Sequence, residues 1–166
     1  MRVGINLLPL IPSVVGGIQQ HIESLLDRLL AVQELSFTLF VNGRIAHLFD
    51  DSSDRVRVVV TSRKSQEIRS RYLHGEFDVL FAPMMDPGVD QAICPMVVLL
   101  VDLQHRHFPA YFSSEELSSR ALHWEWPARA AQTLCVSSRY VARDSVEKLG
   151  ISPDRIIFTP PGLPAA

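Results

Sequence analysis

Cysteine is scarce in this sequence: Cys94 and Cys135 are the only two, and neither falls in a CxxC or Cys/His spacing typical of zinc. Both lie in apolar stretches, so they read as two buried free thiols of a reducing compartment. An excess of either charge is missing too, the formal net charge being -2. That balance offers no broad electrostatic footprint for nucleic acid or an acidic membrane surface. A local basic group, Arg63, Lys64, Arg69 and Arg71, reads as a solvated helix face. No apolar run is as long as a membrane span. Val3 to Val15 is apolar, but Pro9 and Pro12 interrupt it and no small-x-small cleavage pattern follows, so a signal peptide is not expected. Repeats, low-complexity tracts and the G-x-G-x-x-G dinucleotide fingerprint are absent as well. A cytoplasmic globular protein is the expectation that remains.

What is present is a regular alternation. The chain has 166 residues, 47% hydrophobic and 20% charged, which suits one domain with a sizeable core. Apolar runs at Val3–Leu8, Phe37–Val41, Phe77–Phe81, Met96–Val101, Thr133–Val136 and Arg155–Thr159 read as strands. A further strand holds Val56, Val58 and Val60 alternating with Arg55 and Arg57, which predicts one wet face. Between them, Ile18, Ile22, Leu25, Leu26 and Leu29 recur at helical spacing. A weaker helical pattern spans Lys64 to His74. Ser113 and Glu116 form a capping-box signature that opens a helix running to about Ala130. Another helix starts near Ser138 and stops at Gly150, with Pro153 beyond. Strands alternating with helices predict an α/β fold, doubly wound, with a mostly parallel sheet and helices on both faces. The Pro160-Pro161-Gly162-Leu163-Pro164 run reads as a domain boundary.

In an open α/β sheet, ligands bind beyond the carboxyl ends of the strands. Four segments fall there. Gly16-Gly17 precedes a helix whose amide end attracts an anion, and glycine lets a ligand approach the backbone; a plain turn accounts for the pair equally well. Pro83-Met84-Met85-Asp86-Pro87-Gly88 reads as a turn fixed by its prolines or as part of a site. The richest is Asp102 through Pro109, with one carboxylate, His105, Arg106 and His107 directly after a buried strand. Polar groups that dense suit acid/base work or hydroxyl binding. Metal ligation by Asp102, His105 and His107 is the lesser reading, since DxxHxH patterns are common. In Ser137-Ser138-Arg139, helix capping accounts for the serines and leaves Arg139.

The order of these segments resembles the N-terminal domain of family-four (group 1) retaining glycosyltransferases of GT-B fold. The matching residues are Gly16-Gly17 with His21 one turn on, Val101-Asp102-Leu103-Gln104-His105 through Phe108-Pro109 and Phe112-Ser113, and Val136-Ser137-Ser138-Arg139-Tyr140 before Leu149-Gly150-Ile151. Ile156 to Gly162 resembles the strand and glycine that lead into that family's second domain. The resemblance implies a Rossmann-like domain over residues 1–166, one acceptor-side half of a GT-B enzyme. It further implies a hexosyltransferase that moves sugar with retention from a nucleotide sugar to an acceptor hydroxyl, within polysaccharide or lipopolysaccharide assembly. Carried over residue by residue, Asp102 and His105 lie near the reacting sugar as catalytic candidates. Gly16, Gly17, His21, Ser137 and Arg139 line the substrate cleft, the glycines near the donor phosphates. Where many members have histidine before the aspartate, this chain has Val101, and His105 is the candidate substitute. No cofactor is implied beyond the nucleotide sugar as co-substrate. The expected partners are a sugar or lipid-linked acceptor and a donor domain bearing a Glu-x7-Glu signature, which these residues do not contain; self-association stays open. Half a cleft loses the advantage of holding both reactants together, so inactivity alone is expected.

Three competing readings differ in class. A non-catalytic subunit that borrows its donor domain from a partner would carry an exposed apolar interface. A receiver module would need a carboxylate cluster after the first strand, where Pro9 to Pro12 stand. A methyltransferase would need a glycine-rich loop and an acidic ribose partner early in the chain.

Overall fold

A computed structural model describes residues 1–11, 17–49, 54–62 and 64–160. Seven parallel strands form one sheet in the order β3-β2-β1-β4-β5-β6-β7. They are β1 (Arg2–Asn6), β2 (Ser36–Val41), β3 (Val56–Val60), β4 (Val79–Ala82), β5 (Met96–Leu100), β6 (Thr133–Val136) and β7 (Ile156–Phe158). The helices are α1 (Gly17–Leu30), α2 (Lys64–Leu73), the short α3 (Gln104–His107), α4 (Ser114–Arg120), α5 (Trp126–Ala130) and α6 (Arg139–Leu149). The expected α/β sheet, doubly wound and Rossmann-like, is therefore present. Parallel strands need covering on both faces, which is why the inner ones are nearly continuous runs of Val, Ile, Leu and Phe.

The two faces have separate cores. On one, Ile22 and Leu26 of α1 pack on Val3, Ile5, Phe37, Leu39 and Val41. On the other, Ile68 of α2, Ala128 of α5 and Val141 and Leu149 of α6 pack on Leu80, Met96, Val98, Leu134 and Val136. Helix ends follow local chemistry. Ser113 accepts from the Glu116 amide at 3.2 Å while Glu116 accepts from the Ser113 amide at 2.8 Å, the reciprocal bonds of a capping box. Ser138 caps α6 through the Val141 amide at 3.1 Å. Gly150 ends that helix at φ 67°, where a side chain would be strained.

Four sequence expectations change. The edge strand β3 buries Val59 against the α2 side and leaves Val60 more than half exposed, because the register sets Val59 beside Phe40. The fourth strand starts at Val79 rather than Phe77, whose ring turns into the core beneath Gly4. Cys135 is half-buried rather than buried; burial pushes the Cys94 thiol up to about 11, against a backbone hydrogen bond with Leu80. The helix expected from Ser113 to Ala130 is continuous, but its middle, Ala121–Glu125, is wound as a π-helix. Its Trp126 amide reaches back five residues to the Ala121 carbonyl. The reason lies in Pro127: proline has no N–H and its ring clashes with the carbonyl four residues earlier, so the preceding turn widens.

A glycine inside a central strand needs a reason. A Cβ on Gly4 would meet the Phe77 ring at 2.9 Å, and that ring is wedged edge-on against Phe40 at 5.8 Å and tilted against Tyr72 at 5.6 Å. Gly4→Ala is expected to cost about 1–3 kcal/mol, or roughly 2–12 °C of Tm for a domain of this size. Gly43, with open space around its would-be Cβ, serves as the control, Gly43→Ala staying within about 0.5 kcal/mol. Equal Tm losses for the two variants would contradict this packing.

Candidate functional site

The chain runs outward from β1 through β2 to β3, then returns to β4 on the other side of β1. That reversal opens a crevice at the carboxyl ends of β1 and β4. Asn6, the last residue of β1 and fully buried, closes its floor. Its Nδ2 donates to the Asp86 carbonyl at 2.9 Å, and its Oδ1 accepts from the Leu8 amide at 3.3 Å. Asn42 repeats the device after β2, donating to the carbonyls of Leu8 at 3.0 Å and Leu10 at 2.8 Å. Short polar side chains at strand ends thus satisfy the backbone that turns away from the sheet.

The loop after β4 is tightly constrained. Met85 holds φ 66°, an uncommon conformation for a residue with a side chain, of the kind found at functional sites. Gly88 holds φ 72°, and a Cβ there would lie 2.7 Å from the Ile68 Cδ1 and 2.8 Å from the Asn6 Nδ2. Asp86, buried between them, accepts from the Gly88 amide at 2.7 Å. Its other oxygen is 3.5 Å from the His123 Nδ1.

The loop after β5 carries the predicted Asp102 and His105, and the structure separates their environments. Asp102 is half-exposed; its Oδ1 accepts from the Gln104 amide at 3.0 Å and lies 3.8 Å from Arg120. His105 is sealed at 3% exposure, its ring between the edges of Phe112 and Trp124. Its Nε2 is 2.9 Å from Glu125 Oε1, while its buried Nδ1 makes no hydrogen bond among the described residues. Glu125, at 2% exposure, is the hub: Arg106 Nε donates at 2.5 Å with a second Arg106 bond to its other oxygen, and Arg129 lies 3.4 Å away. His107 leaves the cluster for Asp144, at 2.5 Å, and lies 3.3 Å from the Tyr140 hydroxyl.

Among the other predicted residues, Ser137 lies beside this loop, its hydroxyl donating to the Val101 carbonyl at 3.0 Å. Arg139 is exposed on the first turn of α6. Gly17 begins α1, and Gly16 lies outside the described residues. His21 is placed elsewhere: with Ser24, Arg28, Phe81, Leu99 and Cys135 it lines a cavity of about 410 Å³ between α1 and the sheet. Sequence reasoning left the segment holding Asp86 open between a turn and part of a site, and missed Arg120, His123 and Glu125. Pro127, a proline inside a helical pattern, was the signal that could have found the last three. In a π turn, residues five apart are neighbours, so Arg120 and Glu125 both face the loop after β5 while His123 reaches the loop after β4.

No family model and no curated protein matches the sequence. Among solved structures it is similar to a glycosyltransferase from Rickettsia africae ESF-5, at 11% identity and a TM-score of 0.52, over 96% of this chain and 42% of that one. The likeness is one of fold, and this chain spans less than half of that protein's length. No helix among the described residues is long and apolar enough to cross a membrane.

The Glu125 carboxyl sits below its ordinary value of 4.5: burial pushes it up, and the hydrogen bonds from Arg106 and His105 outweigh this. A carboxyl held low in the fold adds stability above the unfolded value, and loses it as pH falls through the folded value. Glu125→Gln is expected to cost about 2–3 kcal/mol at neutral pH, less than a fully buried pair because both arginines reach solvent. Urea titrations from pH 7 downward check it: the gap between variant and parent should close below about pH 4.5. A gap independent of pH would mean that the charge of Glu125 contributes nothing.

Proposed function

We propose that this chain is the acceptor-side domain of a retaining glycosyltransferase of GT-B type. The observation that carries the reading is the convergence of Asp86, Asp102, Arg120 and His123 on the loops after β4 and β5, beside the crevice where the strand order reverses. The fold shared with a glycosyltransferase and the family-four resemblance of the loop motifs support it.

In this reading, the bond between the donor sugar's anomeric carbon and its phosphate oxygen breaks. The acceptor oxygen bonds to that carbon on the same face, and the acceptor's proton leaves with the phosphate. A second α/β domain, bearing the Glu-x7-Glu signature, holds the nucleotide sugar, and closure excludes water. Gly16 and Gly17 approach the donor phosphates, and Ser137 and Arg139 line the same cleft. Asp102 faces the reacting sugar, while His105 acts as a positioning residue that fixes the loop through Glu125. His21, half-buried on α1 itself, meets substrate from the cavity that it lines beside the sheet. The acceptor is a sugar or lipid-linked sugar at the cytoplasmic side, no cofactor beyond the nucleotide sugar is required, and this half alone transfers nothing.

Reading the gene past Ala166 tests the architecture. An in-frame second α/β domain with Glu-x7-Glu is expected; a stop codon leaves a subunit whose donor domain comes from a partner. Kinetics of the enzyme with its donor domain test the site, Asp102→Asn lowering kcat/KM by about a hundredfold with product configuration retained. Transfer by residues 1–166 alone, or an inverted product, overturns the reading.

A further inference from the structure

Four aromatic rings follow one another across the surface formed by α3, the turn after it and the start of α6. Tyr140 is 5.7 Å from His107, His107 is 6.3 Å from Phe108, and Phe108 is stacked on Tyr111 at 5.8 Å. Phe108 and Tyr140 are each about half exposed, and Tyr111 is 79% exposed. The row ends in opposite charges. At the Tyr140 end, the Arg143 guanidinium lies 5.2 Å from the ring centre. Beyond Tyr111, α4 opens at Ser114 and presents the exposed Glu115 on its first turn. We infer that this strip is a self-association surface, on which two copies of this chain meet about a two-fold axis, rings against rings and Arg143 of each copy against Glu115 of the other. The inference does not depend on the glycosyltransferase reading.

Three observations lead to it. The first is apolar area. At the exposures above, Phe108, Tyr111 and Tyr140 offer roughly 300–450 Å² of ring surface per copy. That equals the largest patch of an ordinary monomer, and such patches commonly mark interaction sites. A ring as exposed as Tyr111 projects from the surface instead of lining a pocket, which suits a protein partner better than a small ligand.

The second is rigidity. The His107 Nε2 is 2.5 Å from the buried Asp144 and 3.3 Å from the Tyr140 hydroxyl. The Tyr111 amide donates to the Phe108 carbonyl at 3.1 Å, which sets the stacked pair. Rings fixed before contact lose little freedom on binding.

The third is the charge pattern, which selects the occupant. An anionic bilayer or a nucleic acid would be repelled by the acidic end of the strip. A second copy turned through a half-rotation sets each acidic end on a basic end, a self-complementary contact. Among the described residues neither charge is committed to a strong partner. Glu115 accepts from the adjacent Ser114 hydroxyl at 3.2 Å. Arg143 lies 3.9 Å from Glu147 with both side chains more than half exposed, a pair worth little.

Sedimentation velocity of the whole chain from about 1 to 500 µM tests the inference. An interface of this size is at the weak end of specific ones, so a monomer–dimer equilibrium with Kd on the order of 10–100 µM is expected. Tyr111→Ser should weaken it at least about tenfold. Arg143→Glu and Glu115→Arg should each weaken it about tenfold alone. Mixed together, these two variants should form a mixed dimer of about parental affinity, because both cross pairs are again of opposite charge. Restoration on mixing also shows that both variants fold. A monomer at every concentration overturns the inference, as does association that Tyr111→Ser leaves intact. Mixed variants that associate no better than either alone overturn it too. Binding to anionic phospholipid vesicles that Tyr111→Ser abolishes, without self-association, overturns it in favour of a membrane face. Loss of the dimer when a donor domain is present gives the rings to that domain and overturns it as well.

Discussion

The loop after β5 is tied to the helix that follows it by one buried carboxylate. Glu125 is 2% exposed, and a carboxylate out of water must be paired and hydrogen-bonded or give up its charge. Its partners come from two places, Arg129 one turn along the same helix and His105 with Arg106 from the loop after β5. Meeting that demand ties the loop to the helix. It also leaves Arg120 free to lie over Trp124 at 3.9 Å and over Phe112 at 4.4 Å, with Asp102 within reach. The order of causes runs from Pro127, which widens the turn, to the π winding, to the burial of Glu125, to the placing of Asp102 and His123.

The sheet explains why this edge is where chemistry gathers. Strands β1 and β4 part the chain in opposite directions, and the ends of β1, β2, β4 and β5 are finished by residues whose side chains satisfy turning backbone: Asn6, Asn42, Asp86 and Asp102. Such residues serve structure first. Asn6 is fully buried and spent on its turn, whereas Asp102 stays half-exposed. This dual role separates Asp102, half-exposed, from His105, buried with its Nε2 on Glu125.

The fold was legible because its strands are short apolar runs and its helix ends carry local signals. Thr133–Val136 and the caps at Ser113, Ser138 and Gly150 were readable from the sequence since each depends on neighbours within four residues. The loop after β5 was readable as a polar cluster, though not as a division between a facing carboxylate and a buried brace. That division depends on Glu125, twenty residues later in the chain. The burial of Asp86, in a segment already open as part of a site, and the role of His123 were obscured for a related reason. A helical pattern read at 3.6 residues per turn assigns faces wrongly across a π turn, and a turn bounded by prolines conceals a buried aspartate.

The claim that the Glu125 cluster sets the position of His123 at Asp86 has a direct test in a double-mutant cycle on stability, combining Glu125→Gln with Asp86→Asn. If the π turn transmits the constraint, the two losses should fall short of adding, with a coupling of about 0.5–3 kcal/mol. Additivity within about 0.3–0.5 kcal/mol would mean that the two loops are held independently, and that the buried carboxylate organises only its own side of the crevice.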